Sequence, residues 1–155
     1  MRFNRKGVTK ILFATTVTSP TYLPTAAELT GATDYTKAIA AVDGFTLENS
    51  PIETPDMAST YVSKIPGDDS AADSSLTFYE DDVDDAIETD LAKGTVGFVI
   101  ICRKGKAPSS KGMDVYPVRV ASNSAAITAD NEAAKLNVQF TITDRPLQNA
   151  TVPSS

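Results

Sequence analysis

Residues 136–143 read Leu-Asn-Val-Gln-Phe-Thr-Ile-Thr, an uninterrupted alternation of apolar and polar side chains. Because successive residues of a strand point to opposite faces, this period of two predicts a half-buried antiparallel strand. The same alternation recurs at Ile11–Val17 and at Tyr116–Val120. Pro117 removes one backbone donor, so the strand that contains it is predicted at an edge or at a bulge.

A different apolar pattern runs from Thr95 to Arg103, where the apolar residues are nearly continuous. Such a run predicts a strand buried on both faces. One face is expected on the core, and the other against a neighbouring subunit or under the chain's own helix. Cys102 lies in this run and is interpreted as a small buried hydrophobe. The ambiguous segment Thr36–Val42 is interpreted as a strand.

Two segments have helical signals. Thr25 and Glu28 fit a capping box before a very short helix that ends near Gly31. A second helix is predicted over about residues 82–92, with Gly94 as the residue just beyond its end. Its apolar stripe must dock on a sheet because so short a helix is unstable alone; the stripe is Val83, Ala86, Ile87 and Leu91. The predicted fold class is therefore mainly β, an antiparallel β-sandwich or open barrel with one flanking α-helix.

Charge is distributed unevenly along the 155 residues, which carry a formal net charge of −6. Ten carboxylates and no Lys or Arg fall between Asp68 and Asp90, so the remaining residues are net +4. An acidic domain is poorly suited to holding phosphates. The chain has no histidine and one cysteine, which removes the usual general base, histidine metal ligands and disulfides. We expect no enzyme activity, no cofactor and a reducing compartment.

Acidic pairs offer the main chemical alternatives. Asp81-Asp82 and Asp84-Asp85 have the composition of a hydrolase pair, but acids also stabilise the first turn of a helix. An EF-hand loop counted from Asp81 fails because its sixth and twelfth positions are Ala86 and Ala92. The helix-start interpretation is preferred, and no catalytic or metal residue is assigned.

The basic loop and the two chain ends are candidate contact elements. The loop 104–112 carries Lys104, Lys106 and Lys111 and is interpreted either as solvated or as contacting an acidic surface on another copy. We predict one domain over residues 1–145, with a basic N-terminal arm (1–7) and a C-terminal arm (146–155). Residues 1–18 do not fit a signal peptide, and no apolar run is long enough for a membrane span, so no membrane insertion is expected.

Three runs in the middle of the chain carry a family resemblance: residues 51–56 (PIETPD), 63–67 (SKIPG) and 74–81 (SSLTFYED). Their order resembles major tail proteins, the tail tube subunits of long-tailed, non-contractile bacteriophages. The resemblance implies a β-sandwich that forms hexameric rings stacked around a tape-measure protein, with a typically acidic channel for double-stranded DNA. It also implies tail terminator and tail-tip partners, assembly in the bacterial host cytoplasm and a place in the virion tail.

The resemblance assigns a contact with the next ring to a loop that links two strands. The matching residues are Pro66, Gly67, Asp68, Asp69 and Asp73. From this we expect that reversing Asp68 and Asp69 to Lys impairs tube elongation. By contrast, Ile87→Asp is expected to damage folding, because it places a charge on the buried stripe of the helix. Two alternatives stay open. One is the inner tube of a contractile tail or injection device, marked by a sheath protein encoded alongside. The other is a small acidic module that binds carbohydrate or cations.

Overall fold

The computed structural model describes residues 1–83 and 86–153. Its helices are α1 (Ala26–Gly31) and α2 (Ala86–Asp90), with a 3-10 turn at Thr36–Ala38. The strands in chain order are β1 (Lys10–Ala14), β2 (Thr33–Asp34), β3 (Ile39–Asp43), β4 (Leu47–Asn49), β5 (Ile52–Thr54), β6 (Ser63–Ile65), β7 (Asp69–Ala71), β8 (Ser74–Tyr79), β9 (Val96–Cys102), β10 (Lys111–Ala126), β11 (Lys135–Ile142) and β12 (Leu147–Thr151).

One long strand, β10, joins two half-sheets. Its first part pairs with β9 from Met113 to Arg119 and with β12 on the other side. Its second part pairs with β11 from Val118 to Ala126, with a register shift after Val120. The front half-sheet has the order β2-β1-β9-β10-β12, and the back half-sheet has the order β10-β11-β8-β3. All pairings are antiparallel, so the predicted mainly-β fold class is confirmed.

The main core lies between the two half-sheets. Phe13 and Val99 of the front half-sheet pack in one cluster with Phe78, Val138 and Phe140 of the back half-sheet. The alternation predicted for β11 is confirmed, because Leu136, Val138 and Phe140 are buried. Burying these side chains stabilises the fold by roughly 1.5–3 kcal/mol each.

A second core covers the outer face of the front half-sheet. Ile100 and Cys102 of β9 pack there with Leu29 of α1 and with Val17 and Val152. The strand β9 is therefore buried on both faces, as its sequence predicts, and the cover comes from the chain itself. Burial raises the pKa of the Cys102 thiol to about 11, in agreement with an inert buried side chain.

The short helix α1 begins as its sequence predicts. Thr25 Oγ1 accepts from the Glu28 backbone N–H at 3.2 Å, and Glu28 Oε1 accepts from the Thr25 N–H at 3.0 Å. The other Glu28 oxygen accepts from the Thr18 N–H at 2.9 Å. These backbone hydrogen bonds lower the pKa of Glu28. The capping box thus ties α1 to the segment that leads into it.

The second helix is shorter than predicted, since α2 spans Ala86–Asp90 rather than residues 82–92. Val83 is 88% exposed, so its place on the packing stripe is wrong; Ala86 is also exposed. Ile87 and Leu91 do pack on the main core. The predicted acidic residues Asp84 and Asp85 lie outside the described residues. Gly94 has a φ of 90° in the turn that leads to β9, four residues after the helix ends.

Pro117 lies inside the sheet rather than at an edge. It sits where the neighbour of β10 changes from β12, paired up to Val115, to β11, paired from Val118. The Pro117 carbonyl accepts from the Thr143 N–H at 2.9 Å. The N–H and C=O of one residue in an antiparallel strand point to the same side. The side on which Pro117 lacks a donor is therefore the side where the pairing with β12 ends and the pairing with β11 begins. The proline therefore costs no regular pairing.

The C-terminal segment is not a detached arm in its described part. Leu147–Thr151 forms β12 against β10, and Val152 is buried in the second core. Residues 154 and 155 lie outside the described residues. The local sequence lacks alternation and so does not predict this strand. The strand is ordered by its pairing with β10. The segment Thr36–Val42, predicted as a strand, divides into the 3-10 turn and most of β3.

Candidate assembly surfaces

A two-stranded ribbon, here called the arm (residues 47–71), projects from the back half-sheet between β3 and β8. Near its base β4 pairs with β7, and further out β5 pairs with β6. The segment Pro66 to Asp73, predicted as a loop linking two strands, is the returning limb of this arm and contains β7. Sequence reasoning missed the arm because its strands are three residues long and separated by prolines and turns.

The outer part of the arm carries apolar side chains that nothing in the described chain covers. Ile52 and Ile65 are cross-strand partners, so they lie on one face, and they are 52% and 50% exposed. Met57, Tyr61 and Val62 near the turn are exposed as well. An isolated two-stranded ribbon is at best marginally stable in water. The arm thus has the composition of a segment that is ordered by a partner.

The base of the arm is held by polar contacts. Asn49 Nδ2 donates to the Gly67 carbonyl at 2.9 Å, and the Gly67 N–H donates to Asn49 Oδ1 at 3.1 Å. A Cβ on Gly67 would overlap the carbonyl oxygen of Ser50, so the two limbs approach too closely for any side chain there. Gly67 is therefore a structural residue of the arm.

Asp69 ties the arm to the body of the protein. Its carboxylate accepts from Asn49 Nδ2 at 2.5 Å and pairs with the Arg145 guanidinium. The hydrogen bond from Asn49, with the charge of Arg145, lowers the pKa of Asp69. Of the residues that the sequence groups in one contact loop, Asp69 thus bonds within its own chain. Pro66, Asp68 and Asp73 are exposed.

The back half-sheet has two free edges in the described part of the chain. On one side β3 pairs with β8 alone, and on the other the end of β10, from Ser122 to Ala126, pairs with β11 alone. Unpaired N–H and C=O groups at such edges are ready to pair with another strand. This half-sheet is therefore able to continue into a neighbour on both sides.

The outward side of the back half-sheet, here called the polar face, carries side chains that alternate with the core. It consists of Ala41, Asp43, Ser75, Thr77, Tyr79, Arg119, Ser122, Ser124, Ala126, Lys135, Asn137, Gln139 and Thr141. These residues are exposed or half-buried. Three of the thirteen are charged, namely Asp43, Arg119 and Lys135, and Lys135 Nζ lies 4.0 Å from Glu132 Oε2, so the polar face is close to neutral. Among the described carboxylates between Asp68 and Asp90, none is on this face.

Basic residues meet at one end of the molecule, here called the basic end. It comprises residues 1–10 and the turn 103–111 between β9 and β10, and Thr9 Oγ1 donates to the Arg103 carbonyl at 2.9 Å to join them. These two segments contain eight Lys or Arg and no Asp or Glu: Arg2, Arg5, Lys6, Lys10, Arg103, Lys104, Lys106 and Lys111. The predicted basic loop is thus enlarged by the N-terminal segment, which sequence analysis treated separately.

Beside the basic end is a groove of about 410 Å³ with an apolar floor. Ile11, Val42, Phe45 and Ile101 line it, and Val42 is 47% exposed. Arg5 and Arg103 stand at its rim, where Arg103 Nε lies 3.0 Å from Asp114 Oδ2. Sequence analysis did not find this groove because its residues come from four separate segments.

Within residues 1–83 and 86–153, no three His, Cys, Asp or Glu side chains are grouped so as to hold a metal ion. Among the helices described, none is both long and apolar enough to cross a membrane. The features that stand out in the described chain are therefore surfaces: two strand edges, an arm and a basic end with a groove.

By its topology the protein is an antiparallel β-sandwich with a projecting β-ribbon. The chain belongs to the phage tail tube protein family, whose match covers residues 1–155. This confirms the resemblance drawn from the sequence. No curated protein matches the sequence.

Solved structures share this fold at low sequence identity. A chain in the cryo-EM structure of the sheath/tube terminator of an extracellular contractile injection system, PVC, is 12% identical with a TM-score of 0.66. The match covers 97% of this chain and 99% of that one. A chain of the PVC sheath-tube complex is 12% identical with a TM-score of 0.62, covering 92% and 88%. A chain of the anti-feeding prophage baseplate is 9% identical with a TM-score of 0.57, covering 90% and 91%.

Proposed function

We propose that this protein is a structural, non-catalytic tail tube subunit that polymerises as stacked hexameric rings and forms a channel for DNA. The observation that carries the proposal is the back half-sheet, which has a free edge on each side and belongs to a chain of the tail tube family. Edge-to-edge pairing around a ring closes the sheets of all copies into one barrel. Closure pairs both free edges of each back half-sheet and satisfies their backbone groups.

In this arrangement the polar face lines the channel. Its side chains are mostly short and neutral, and its charged members are Asp43, Arg119 and Lys135. Phosphates are held by clusters of Lys and Arg, and the polar face has no such cluster. DNA therefore slides along a wall of weak polar contacts. The acidic channel implied by the family resemblance is replaced by a nearly neutral one in this proposal.

The partners proposed are those of a tube assembly: a tape-measure protein inside the rings, a tail terminator and tail-tip proteins. Assembly takes place in the bacterial host cytoplasm, and the product is part of the virion tail. The inner tube of a contractile tail or injection device is a second candidate, because the PVC and anti-feeding prophage chains share the fold. A sheath protein encoded beside this one distinguishes the two candidates.

Electron microscopy of the purified protein, alone and co-expressed with tail-tip proteins, tests the proposal. Rings or tubes with six-fold symmetry are expected. A strict monomer at every salt and protein concentration, with the tail-tip proteins present, overturns it.

Two proline variants test the strand edge itself. Ser124 and Ala125 are neighbours in the regular part of β10, so the N–H of one points to β11 and that of the other points to the free edge. The proline variant that removes the N–H at the free edge should melt at the same temperature as the unmodified protein but form no rings, because it blocks only the pairing between copies. The other of the two variants, Ser124→Pro or Ala125→Pro, removes a hydrogen bond to β11 and should melt at a lower temperature. Normal tubes from the free-edge variant contradict the role of this edge.

A further inference from the structure

The exposed apolar side chains of this protein are concentrated in two places. Fourteen large hydrophobic residues of the described chain are exposed. Five belong to the arm, and four more belong to the basic end or to its groove: Met1, Phe3, Val8 and Val42. Scattered single apolar residues are normal at a surface, but two concentrations of this kind mark contact sites.

The two places also differ in charge. The arm (residues 47–71) has five Asp or Glu and one Lys. The basic end has eight Lys or Arg and no acid in its two segments. Surfaces of opposite charge attract and orient one another, and they disfavour contacts between like surfaces. The arm and the basic end are therefore complementary in both polarity and charge.

We propose that the basic end of one copy receives the arm of a neighbouring copy. The Ile52–Ile65 pair enters the groove lined by Ile11, Val42, Phe45 and Ile101, and the Lys104–Lys111 turn faces the carboxylates of the arm. This inference rests on the proposed tube function and identifies the surfaces through which successive copies connect.

The groove suits this occupant. Its volume of about 410 Å³ lies within the roughly 300–1,000 Å³ of sites that enclose a ligand. Its floor is apolar, as the exposed face of the Ile52–Ile65 pair requires. Its rim carries Arg5 and Arg103; Arg103 is paired with Asp114, which also lines the groove, so the positive charge that meets an acidic ribbon comes from Arg5 and from the adjoining Lys104–Lys111 turn. Burying the two isoleucines on binding removes apolar surface from water, which favours the contact.

The contact is heterologous, because it joins two different patches of the same chain. Such contacts form rings when they close and filaments when they do not. The groove adjoins Phe45 and Thr46, where the arm begins, so the Ile52–Ile65 pair of one arm reaches the root of the next. The limb from Leu47 to Ile52 spans at most about 20 Å when fully extended. Linked copies are therefore displaced by no more than about that length.

Site-directed cross-linking tests the contact. The full-length double variant Val42→Cys, Ile65→Cys places one thiol at the groove and one on the arm, and the native Cys102 is buried and unreactive. A short bismaleimide should link most of the polymerised variant into a ladder of covalent multimers on a denaturing gel. The matched control is Ile127→Cys, Ile65→Cys, in which the first thiol lies on an exposed residue remote in sequence from the groove. It should yield at least ten-fold less multimer.

The outcomes separate this inference from the tube function. If tubes form but the Val42–Ile65 variant gives no ladder, or no more than its control, the contact is wrong and the tube function stands. If the unmodified protein forms no polymer even with tail-tip proteins present, the tube function fails and this contact fails with it.

A charge exchange checks the same contact without cysteines. Glu53→Lys with Asp56→Lys changes residues 51–66 from a net charge of −1 to +3. The polymerised fraction should fall at least ten-fold and should recover when Lys104→Glu and Lys106→Glu are added. The control exchanges Glu53 and Lys64, which are cross-strand partners, and keeps the net charge. Absence of recovery in the combined variant, with its melting temperature unchanged, overturns the electrostatic part of the contact.

Discussion

The body of this protein and its arm are both built from antiparallel strands, but they are stabilised in different ways. In the body, strands such as β8 and β9 have fully buried side chains in a core shared by two half-sheets. In the arm, β5 and β6 share a backbone ladder while their side chains remain exposed. Backbone pairing alone thus forms a ribbon, whereas a stable domain requires a second layer.

The largest expected difference is in the free energy of unfolding. Phe78→Ala removes a fully buried ring from the main core and should cost about 3–5 kcal/mol. Ile65→Ala in the arm should change the monomer by no more than about 0.5 kcal/mol, because the side chain is half exposed. Urea unfolding of both variants in the monomeric state measures the difference. Similar losses for the two would show that the arm is part of the cooperative body.

A smaller effect is expected from Gly67→Ala, which should reshape the arm and leave the body intact. A methyl group there overlaps the Ser50 carbonyl, so the two limbs must separate and the Asn49 hydrogen bonds weaken. The Asn49 and Gly67 amides should exchange faster with solvent, while the melting temperature of the body should shift by only a few degrees. Gly31→Ala, where a Cβ meets nothing, is the control. Unchanged exchange at both amides would contradict the close approach.

The smallest effect concerns acid pH and the base of the arm. The pKa of Asp69 is lowered by the hydrogen bond from Asn49 and by Arg145. Because the pKa is lowered, the ionised carboxylate stabilises the base of the arm fully at any pH above the ordinary carboxyl pKa of about 3.9. This stabilisation is lost as the pH falls through the lowered pKa of Asp69. An NMR titration should show the Asn49 side-chain amide shifting in that acidic range. Asp69→Asn should abolish the shift, and a shift that persists in this variant would assign it to another group.

How far the sequence predicted the structure depends on where the order comes from. The strand β11, the capping box of α1 and the doubly buried β9 were predicted, because each has its own local pattern of apolar residues or of a cap. The arm and β12 were not, because their strands are short or lack alternation and are ordered by pairing with other segments. Val83 shows the limit of periodicity, since a residue with the right spacing is exposed where the helix has not begun.

The candidate surfaces divide in the same way. Lys104, Lys106 and Lys111 were recognised from the sequence as a basic turn, but only the fold joins them to the N-terminal cations and places the groove beside them. Asp69 was grouped with the contact residues; the fold pairs it with Arg145 of the same chain, and its contact with the next ring stays a prediction. The sequence shows that a residue is charged, but its partner depends on which other residues the fold brings close to it.

By itself, the sequence determined that this is a mainly β, antiparallel domain of the tail tube type, in which one face of a body strand such as β11 is destined for burial. That information is local, because the period of two decides which side chains leave water. Only the tertiary structure decided which edges stay unpaired, which face stays uncovered and which charges meet. Those properties depend on which distant segments pack against one another, and a local sequence pattern does not show where those segments lie.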